Sequence, residues 1–151
     1  MILIPATRAL LTSLTLLSTA HAICYYPDGT TTLSDVPCNS GSEASFCCGY
    51  GFACLSNKIC MATSLTIHRN DTQTYVRGSC TDESWRSGNC PNFCVQGDDP
   101  WYDNMSGGEG MIICPGSTSD FYCYDYNVGE VSCKDQNNLA VIGTGSAEPF
   151  S

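Results

Sequence analysis

The chain has 151 residues, of which 12 are cysteine, and its 15 acidic residues outnumber its 6 basic residues. A net charge of −9 argues against nucleic-acid binding, because proteins of that class place Lys and Arg against phosphates. Only 14% of residues are charged and 42% are hydrophobic, which excludes a charge-driven disordered chain, and so many cysteines are unusual in a reduced cytosolic domain.

The first 22 residues are predicted to be a signal peptide. Arg8 precedes an apolar run over 9–20, and Ala20-His21-Ala22 matches the small-x-small pattern that signal peptidase recognises. A membrane anchor is the alternative, but the run has about 12 residues and a spanning helix needs roughly 20. Cleavage after Ala22 predicts a secreted mature chain over 23–151 that has no membrane span and reaches an oxidising compartment.

The cysteines fall into two groups of six, and an even number in each group lets each group close on itself as a disulfide module. We therefore predict a small disulfide-rich fold of short β-strands, hairpins and loops, with at most one or two short helical turns. The chain has few apolar stretches, so burial alone would not compensate for the conformational entropy that is lost on folding. Each bridge contributes about 2–4 kcal/mol toward offsetting that loss. The first group is Cys24, Cys38, Cys47, Cys48, Cys54 and Cys60, and the second is Cys80, Cys90, Cys94, Cys114, Cys123 and Cys133.

The first module, predicted over 23–60, contains the vicinal pair Cys47-Cys48. Neighbouring side chains of an extended segment point to opposite faces, so we expect the two sulfurs to bridge to different loops. The cysteine order of this module resembles the inhibitor cystine-knot (knottin) framework. The pairing that this resemblance implies is Cys24–Cys48, Cys38–Cys54 and Cys47–Cys60.

An aromatic loop, Gly49-Tyr50-Gly51-Phe52-Ala53, follows the vicinal pair. A vicinal pair followed by such a loop also resembles the hevein-type chitin-binding domain. We interpret Tyr50 and Phe52 first as packing against the bridges, because aromatic side chains in very small domains usually cover the core. The alternative is that they form a platform on which a sugar ring stacks.

The segment over 61–79 is predicted to be a β-hairpin that links the modules. Leu65–Ile67 and Thr72–Val76 are rich in β-prone residues, and Asn70-Asp71 supplies a turn between them. Asn70 also begins an N-glycosylation acceptor sequence, Asn-Asp-Thr, and Asn104 begins a second, Asn-Met-Ser. Both asparagines are therefore candidate glycosylation sites.

The second module is predicted over 80–133, and a flexible C-terminal tail over 134–151. Thr81 is placed to cap a short helix that has Asp82 in its first turn and ends at Gly88-Asn89. Gly, Pro, Asn and Asp dominate the rest of the module, which predicts loops and short strands.

An acidic loop over 98–109 lies between Cys94 and Cys114. We interpret it first as a solvated loop, although carboxylates and carbonyls are also the oxygen ligands that calcium prefers. Trp101 and Tyr102 offer a second aromatic contact for a sugar or a partner. Paired carboxylates beside them are also the groups that glycosidic hydrolysis needs, but so short a bridged segment rarely forms a cleft. The candidate carboxylates are Asp98, Asp99, Asp103 and Glu109.

Catalytic chemistry is disfavoured elsewhere in the chain. His68 is the only histidine after removal of the leader, and it lies in a predicted strand. Nucleophilic catalysis would need this histidine beside a free nucleophile, whereas all cysteines can pair. The same shortage of imidazole and free thiolate disfavours zinc. We therefore expect no catalytic residue, no resident metal and no cofactor.

Five strings of the mature chain together resemble a family of small cysteine-rich secreted proteins of filamentous ascomycete fungi. That family mostly lacks an assigned biochemical activity and has no motif-defined catalytic residues, so the resemblance implies a secreted protein and assigns no catalytic residue. The strings are CYYPDG (24–29), DVPC (35–38), SFCCGYGFACLSNKIC (45–60), RGSCTDESW (77–85) and CPNFC (90–94).

We therefore predict a secreted, disulfide-stabilised, non-enzymatic interaction protein that is effector-like or associated with the cell wall. Its partner is expected to be an extracellular protein or a wall polysaccharide, and its negative charge keeps it soluble and excludes polyanions. The alternative is a carbohydrate-binding module for chitin or glucan. In that alternative Tyr50 and Phe52, or Trp101 and Tyr102, provide the stacking faces.

Overall fold

A computed structural model describes residues 22–68, 72–98, 103–124, 133, 139–143 and 145–146. These residues form short antiparallel strands, and none of them belongs to a helix long and apolar enough to cross a membrane. The predicted small disulfide-rich β fold is confirmed. The strands are β1 (Cys24–Tyr25), β2 (Thr31–Thr32), β3 (Asp35–Pro37), β4 (Phe46–Gly49), β5 (Phe52–Cys54), β6 (Cys60–Ala62), β7 (Tyr75–Arg77), β8 (Ser79–Cys80), β9 (Glu109–Ile113), β10 (Asp120–Cys123) and β11 (Leu139–Val141).

All the cysteines are bridged, and every bridge joins two cysteines of the same group of six. The predicted closure of each group on itself is therefore confirmed. Bridging on this scale is typical of extracellular proteins. The pairs are Cys24–Cys47, Cys38–Cys54, Cys48–Cys60, Cys80–Cys90, Cys94–Cys123 and Cys114–Cys133.

The bridges of the first group correct the pairing implied by the knottin resemblance. The vicinal cysteines have exchanged partners, because Cys47 bridges to Cys24 and Cys48 bridges to Cys60. Both cysteines lie in β4, where successive side chains alternate between the two faces of the sheet. Alternation explains why the two cysteines bridge to different segments. It does not determine which of them bridges to Cys24 and which to Cys60.

The first sheet has the strand order β2-β1-β8-β4-β3. Strand β8 belongs to the second cysteine group but lies between two strands of the first, with Cys80 opposite both Tyr25 and Phe46. Each module is thus closed by its own bridges, whereas the sheet is shared between them. Gly78, just before β8, passes so close to β4 that a Cβ atom there would overlap the carbonyl oxygen of Cys47.

The second sheet has the strand order β11-β10-β9-β7-β6-β5. Its strands β9 and β10 contribute residues to the larger apolar core. In that core the rings of Tyr75 and Phe121 meet edge to face, with centroids 5.3 Å apart. The buried members of the core are Leu55, Ile59, Cys94, Met111, Phe121 and Cys123.

The segment predicted to be a flexible tail, over 134–151, contributes an edge strand instead. β11 pairs with β10, placing Ala140 opposite Phe121. After β11 the chain returns to the turn that follows β5, where the N–H of Ser56 donates to the carbonyl oxygen of Ser146 at 2.8 Å. Residues 139–141 therefore join the sheet through β10, at its outer edge.

The predicted strand over Leu65–Ile67 is wrong. Residues 64–68, including His68, form turns, and the antiparallel pair of this segment consists of β6 and β7. The cause is local, because Thr63 accepts backbone N–H groups from Leu65 at its hydroxyl and from Ile67 at its carbonyl. Threonine side chains that bond nearby backbone compete with strand pairing in this way. The predicted turn residues Asn70-Asp71 lie outside the described residues.

The short helix predicted after Thr81 is also absent from the described residues over 81–89, which form turns. The Asp82 carboxylate accepts three backbone N–H groups from the next five residues and closes the turn. Thr81 instead accepts the backbone N–H of Ser45, from the segment before β4, at 2.9 Å. The hydroxyl expected to cap a helix therefore fastens the second module to the first.

Candidate functional site

Arg77, at the end of β7, is the buried cation beside the acidic loop. Its side chain is completely buried, and its guanidinium donates hydrogen bonds to four backbone carbonyl oxygens. These acceptors belong to Gly78, Cys94, Asn104 and Gly107, at 2.5–3.3 Å. Carbonyl oxygens are also ligands that calcium prefers, but these four accept hydrogen bonds from the guanidinium.

Two of the candidate calcium ligands surround Arg77. Glu109 is buried and its Oε2 accepts the backbone N–H of Asn104 at 2.5 Å, while Asp103 accepts the N–H of Gln96 at 2.7 Å. Desolvation lowers the pKa of Arg77 to about 10, and the charges of Glu109 and Asp103 oppose that shift. Both carboxylates therefore interact electrostatically with the buried guanidinium of Arg77.

The remaining candidates for metal binding are Asp98 and Asp99. Asp98 is exposed, and Asp99 lies outside the described residues. Among the described residues, one group has the spacing of metal ligands, namely Cys38, Cys48 and Cys54. All three are bridged, so none of them offers the thiolate that zinc requires.

Arg77 also contacts the first sheet through Trp85. The guanidinium carbon lies 5.7 Å from the centroid of the Trp85 ring, and the indole N–H donates to the carbonyl oxygen of Tyr25 at 3.1 Å. This chain of contacts joins the two cysteine groups. Sequence reasoning did not identify Arg77, and no pattern around it distinguishes it from a surface arginine.

A second polar cluster surrounds Asp35 in β3. Its carboxylate accepts hydrogen bonds from the hydroxyls of Ser79 at 2.6 Å and Ser34 at 3.4 Å. Burial raises the pKa of Asp35 above its ordinary value of 3.8, and these hydrogen bonds only partly oppose the shift. Burial and the charge of Asp35 together raise the pKa of Tyr26 as well.

Replacing Asp35 with asparagine is expected to change the pH dependence of stability. Because the pKa of Asp35 is raised in the folded state, its contribution is most favourable below 3.8 and is lost as the pH rises through the folded-state pKa. The stability of the Asp35→Asn variant relative to the wild type should therefore be greater at pH 7 than at pH 4. Thermal unfolding at several pH values measures the difference.

Asp28→Asn is the matched control for this prediction. Hydrogen bonds from Thr30 lower the pKa of Asp28, so the sign is reversed and its contribution is lost as the pH falls. The Asp28 variant should be slightly less stable than the wild type at pH 7, with a deficit that disappears in acid. Parallel curves for wild type and Asp35→Asn would contradict the assignment.

An apolar groove of about 400 Å³ lies between β3, the β4–β5 turn and the turn after β6. Its exposed rim consists of Tyr50, Leu65 and Val36, whose side chains are 74%, 65% and 45% exposed. We call this depression the apolar groove. It is lined by Val36, Cys48, Gly49, Tyr50, Gly51, Phe52, Ala53, Thr63 and Leu65.

The two predicted contact aromatics of the first module both line this groove, in different roles. Phe52 is half-buried and packs against the bridged cysteines of the first module, as the core-packing interpretation requires. Tyr50 does not pack in this way, because it stands exposed on the turn. The core-packing interpretation is therefore right for Phe52 and wrong for Tyr50.

The groove is held in shape by its own turn. Gly51 has a φ of +88°, and a Cβ atom there would lie 2.6 Å from the methyl group of Thr66. The carbonyl oxygen of Gly51 accepts the Thr63 hydroxyl at 2.6 Å, which ties the β4–β5 turn to the turn after β6. The bridge from Cys48 to Cys60 fixes the groove's inner wall.

The other predicted contact and glycosylation residues are only partly described. Asn104 is exposed, as a glycosylated asparagine must be, and its side-chain amide donates to the carbonyl oxygen of Gly108 at 3.3 Å. Asn70, Trp101 and Tyr102 lie outside the described residues.

The chain was compared with known proteins at three levels. No protein-family model matches it, and neither a curated protein nor a solved structure does so.

Proposed function

We propose that this protein is a secreted, non-enzymatic interaction protein that binds an extracellular protein partner through the apolar groove. The observation that carries this proposal is the convergence of Tyr50, Leu65 and Val36, all exposed, on one depression. Scattered surface hydrophobics are ordinary, whereas exposed hydrophobic side chains gathered in one depression are a feature of interaction sites.

The composition of the groove favours a protein side chain over a sugar. Thr63 is its one side chain with a hydroxyl apart from Tyr50, and that hydroxyl already donates to Gly51. The hydroxyls of a sugar would find few hydrogen-bond partners in the groove. An apolar side chain has no hydrogen bonds with water to lose when it enters. Tyrosine at the rim is also among the residues that most often dominate binding energy at protein interfaces.

Rigidity and charge support the same function. The groove walls are fixed by a bridge and a glycine turn, so little entropy is lost when a partner binds. The net charge of −9 favours encounter with a basic partner. The resemblance to secreted fungal proteins adds an effector-like or wall-associated setting to this proposal.

Site-specific crosslinking tests the proposal. A photoreactive benzoylphenylalanine in place of Tyr50 should crosslink to a protein in extracellular fluid, and excess wild-type protein should compete. Tyr50→Ala and Leu65→Ser should compete at least about fivefold less well, because loss of a contact that dominates an interface costs more than about 1 kcal/mol. A crosslink that these variants compete as well as the wild type would contradict the proposal.

Leu33 provides the matched control, because it is 95% exposed and does not line the groove. Benzoylphenylalanine at position 33 should give no competed crosslink, and Leu33→Ser should compete as well as the wild type. Equal crosslinking at both positions would indicate nonspecific apolar contact and would also contradict the proposal.

The carbohydrate alternative rests on the exposed ring of Tyr50, which is free to stack on a sugar. Incubation with insoluble chitin or β-glucan at low and high salt separates the two functions. Retention on either polysaccharide that Tyr50→Ala/Phe52→Ala or Trp101→Ala abolishes would favour the alternative. Under the protein-partner proposal, none of these substitutions changes the amount recovered in the supernatant.

A further inference from the structure

Four bridged cysteines form one buried group, which we call the sulfur cluster. Its two bridges lie side by side, with the sulfur of Cys38 only 3.5 Å from the sulfur of Cys48. The sulfur of Cys54 lies within 4.8 Å of both. Each bridge is therefore within reach of the other. The two bridges are Cys38–Cys54 and Cys48–Cys60.

Both bridges of the sulfur cluster link one sheet to the other. Cys48 in β4 is joined to Cys60 in β6, and Cys38, the residue after β3, is joined to Cys54 in β5. Among the described residues, no other bridge connects strands of different sheets. The disulfide connection between the sheets therefore depends on this cluster.

The same four sulfurs have a second way to pair, beginning with Cys54 and Cys60. These two residues lie directly opposite each other in β5 and β6. The N–H of Leu55 donates to the carbonyl oxygen of Ile59 at 2.9 Å, so the neighbouring pair Cys54 and Cys60 is of the non-hydrogen-bonded kind. Cα atoms in such pairs are about 4.5 Å apart, which is within the range that a disulfide spans.

Cys38 and Cys48 are the other potential pair. The N–H of Cys38 donates to the carbonyl oxygen of Phe46, and Val36 lies opposite Cys48, so the two cysteines are diagonal neighbours across β3 and β4. Their sulfurs would have to close from 3.5 Å to the length of a bond, about 2.0 Å. Residues 38–45 lie outside the strands, so this closure does not require a strand to move.

We propose that the sulfur cluster is a thiol–disulfide exchange site, at which a small-molecule thiol converts the two bridges into Cys38–Cys48 and Cys54–Cys60. The point of entry follows from access, on which the rate of exchange depends. Cys38 is 6% exposed, whereas Cys48 and Cys60 are each 1% exposed. The external thiolate therefore attacks the sulfur of Cys38.

The exchange conserves atoms and electrons. The external thiolate bonds to Cys38 and releases the thiolate of Cys54. That thiolate attacks the sulfur of Cys60, which forms Cys54–Cys60 and releases the thiolate of Cys48. The thiolate of Cys48 then attacks Cys38, which forms Cys38–Cys48 and releases the external thiolate unchanged. Nothing is oxidised or reduced overall, so the thiol acts as a catalyst.

The exchange would remove the disulfide connection between the sheets. Each new bridge joins neighbouring segments of a single sheet, Cys38–Cys48 in the first and Cys54–Cys60 in the second. Cys48 also lines the apolar groove, so the exchange would free that wall from β6. The exchange itself does not depend on the proposed protein partner.

The Cys54→Ala variant tests the sulfur contact without added thiol. It leaves Cys38 as the free thiol, beside the sulfur of Cys48. At mildly alkaline pH, where thiolate is populated, Cys38 should attack Cys48 and move the free thiol to Cys60. Acid quenching, unfolding and alkylation with N-ethylmaleimide, followed by peptide mass mapping, should find label on Cys60. Label confined to Cys38 would overturn the proposal.

Cys90→Ala is the matched control. It frees Cys80, which does not belong to the sulfur cluster, so the label should remain on Cys80. Movement of the free thiol in this variant as well would indicate general scrambling of bridges and would also overturn the proposal.

The wild-type protein provides a second test that needs no substitution. It is incubated with reduced glutathione, quenched in acid, alkylated and digested after Phe46, Tyr50 and Lys58, which separates the members of the cluster. A linked peptide pair that contains Cys54 and Cys60 should appear before any bridge of the second cysteine group breaks. Loss of a second-group bridge first, or formation of Cys38–Cys60 instead, would contradict exchange at this site.

Discussion

Replacing Arg77 with methionine is expected to lower the free energy of unfolding by about 3–5 kcal/mol, as breaking a buried charged network usually does. Methionine fills much of the volume but donates no hydrogen bond. The carbonyl oxygens that the guanidinium binds would lose their donor, and the buried carboxylate of Glu109 would lose its neighbouring cation. Urea unfolding of the oxidised protein measures the loss.

Arg86→Met is the matched control, because Arg86 is exposed. That variant should change the free energy of unfolding by less than about 0.5 kcal/mol, as surface substitutions usually do. Arg77→Lys keeps the charge but not the planar set of donors, so it should lie between wild type and Arg77→Met. A loss below about 1 kcal/mol for Arg77→Met would contradict a stabilising role for the buried guanidinium.

Gly78→Ala is expected to prevent correct folding or to destabilise the protein by at least about 3 kcal/mol, the upper part of the range for overpacking. A Cβ atom at this position would overlap the carbonyl oxygen of Cys47 and lie 2.9 Å from the sulfur of Cys60. Neither neighbour can move freely, because one is strand backbone and the other is bridged to Cys48. The added methyl group would therefore push β8 away from β4.

Oxidative refolding with disulfide mapping measures this effect together with urea unfolding. The expected result for Gly78→Ala is a mixture of bridge isomers or a much lower midpoint. Gly88→Ala is the control, because a Cβ atom there meets nothing within 4 Å. Equal yields of one native isomer from both variants would refute the close approach of β8 to β4.

The closure of the two cysteine groups could be predicted from the sequence, because it depends only on even counts and short spacing. The partners of Cys47 and Cys48 could not, since alternation along a strand determines that they differ but not their order. The choice depends on where Cys24 and Cys60 lie relative to β4, which is a matter of tertiary structure.

Errors in the predicted elements have a common physical cause. Leu65–Ile67 has the composition of a strand, yet the side chain and carbonyl of Thr63 capture its backbone in turns. The helix expected after Thr81 fails for a similar reason, because Asp82 satisfies the nearby N–H groups within a tighter turn. In both places hydrogen bonds from short polar side chains outweigh the secondary-structure propensity of the sequence, which predicts local structure only weakly.

The apolar groove could be partly foreseen, because the aromatic loop that contains Tyr50 and Phe52 stands out in the sequence. Its outer rim could not, since Val36 and Leu65 are far from that loop in the chain. Arg77 was missed because its burial depends on carbonyl groups, which no side-chain pattern reveals.

The position of β8 between β1 and β4 has a consequence for synthesis of the chain. The ribosome completes residues 24–49 well before residues 79–80, so the first cysteine group emerges without the strand that separates β1 from β4. Until then both strands have open edges, which readily pair with other chains. The first three bridges can form early, but the nascent sheet is complete only when the second group begins to arrive.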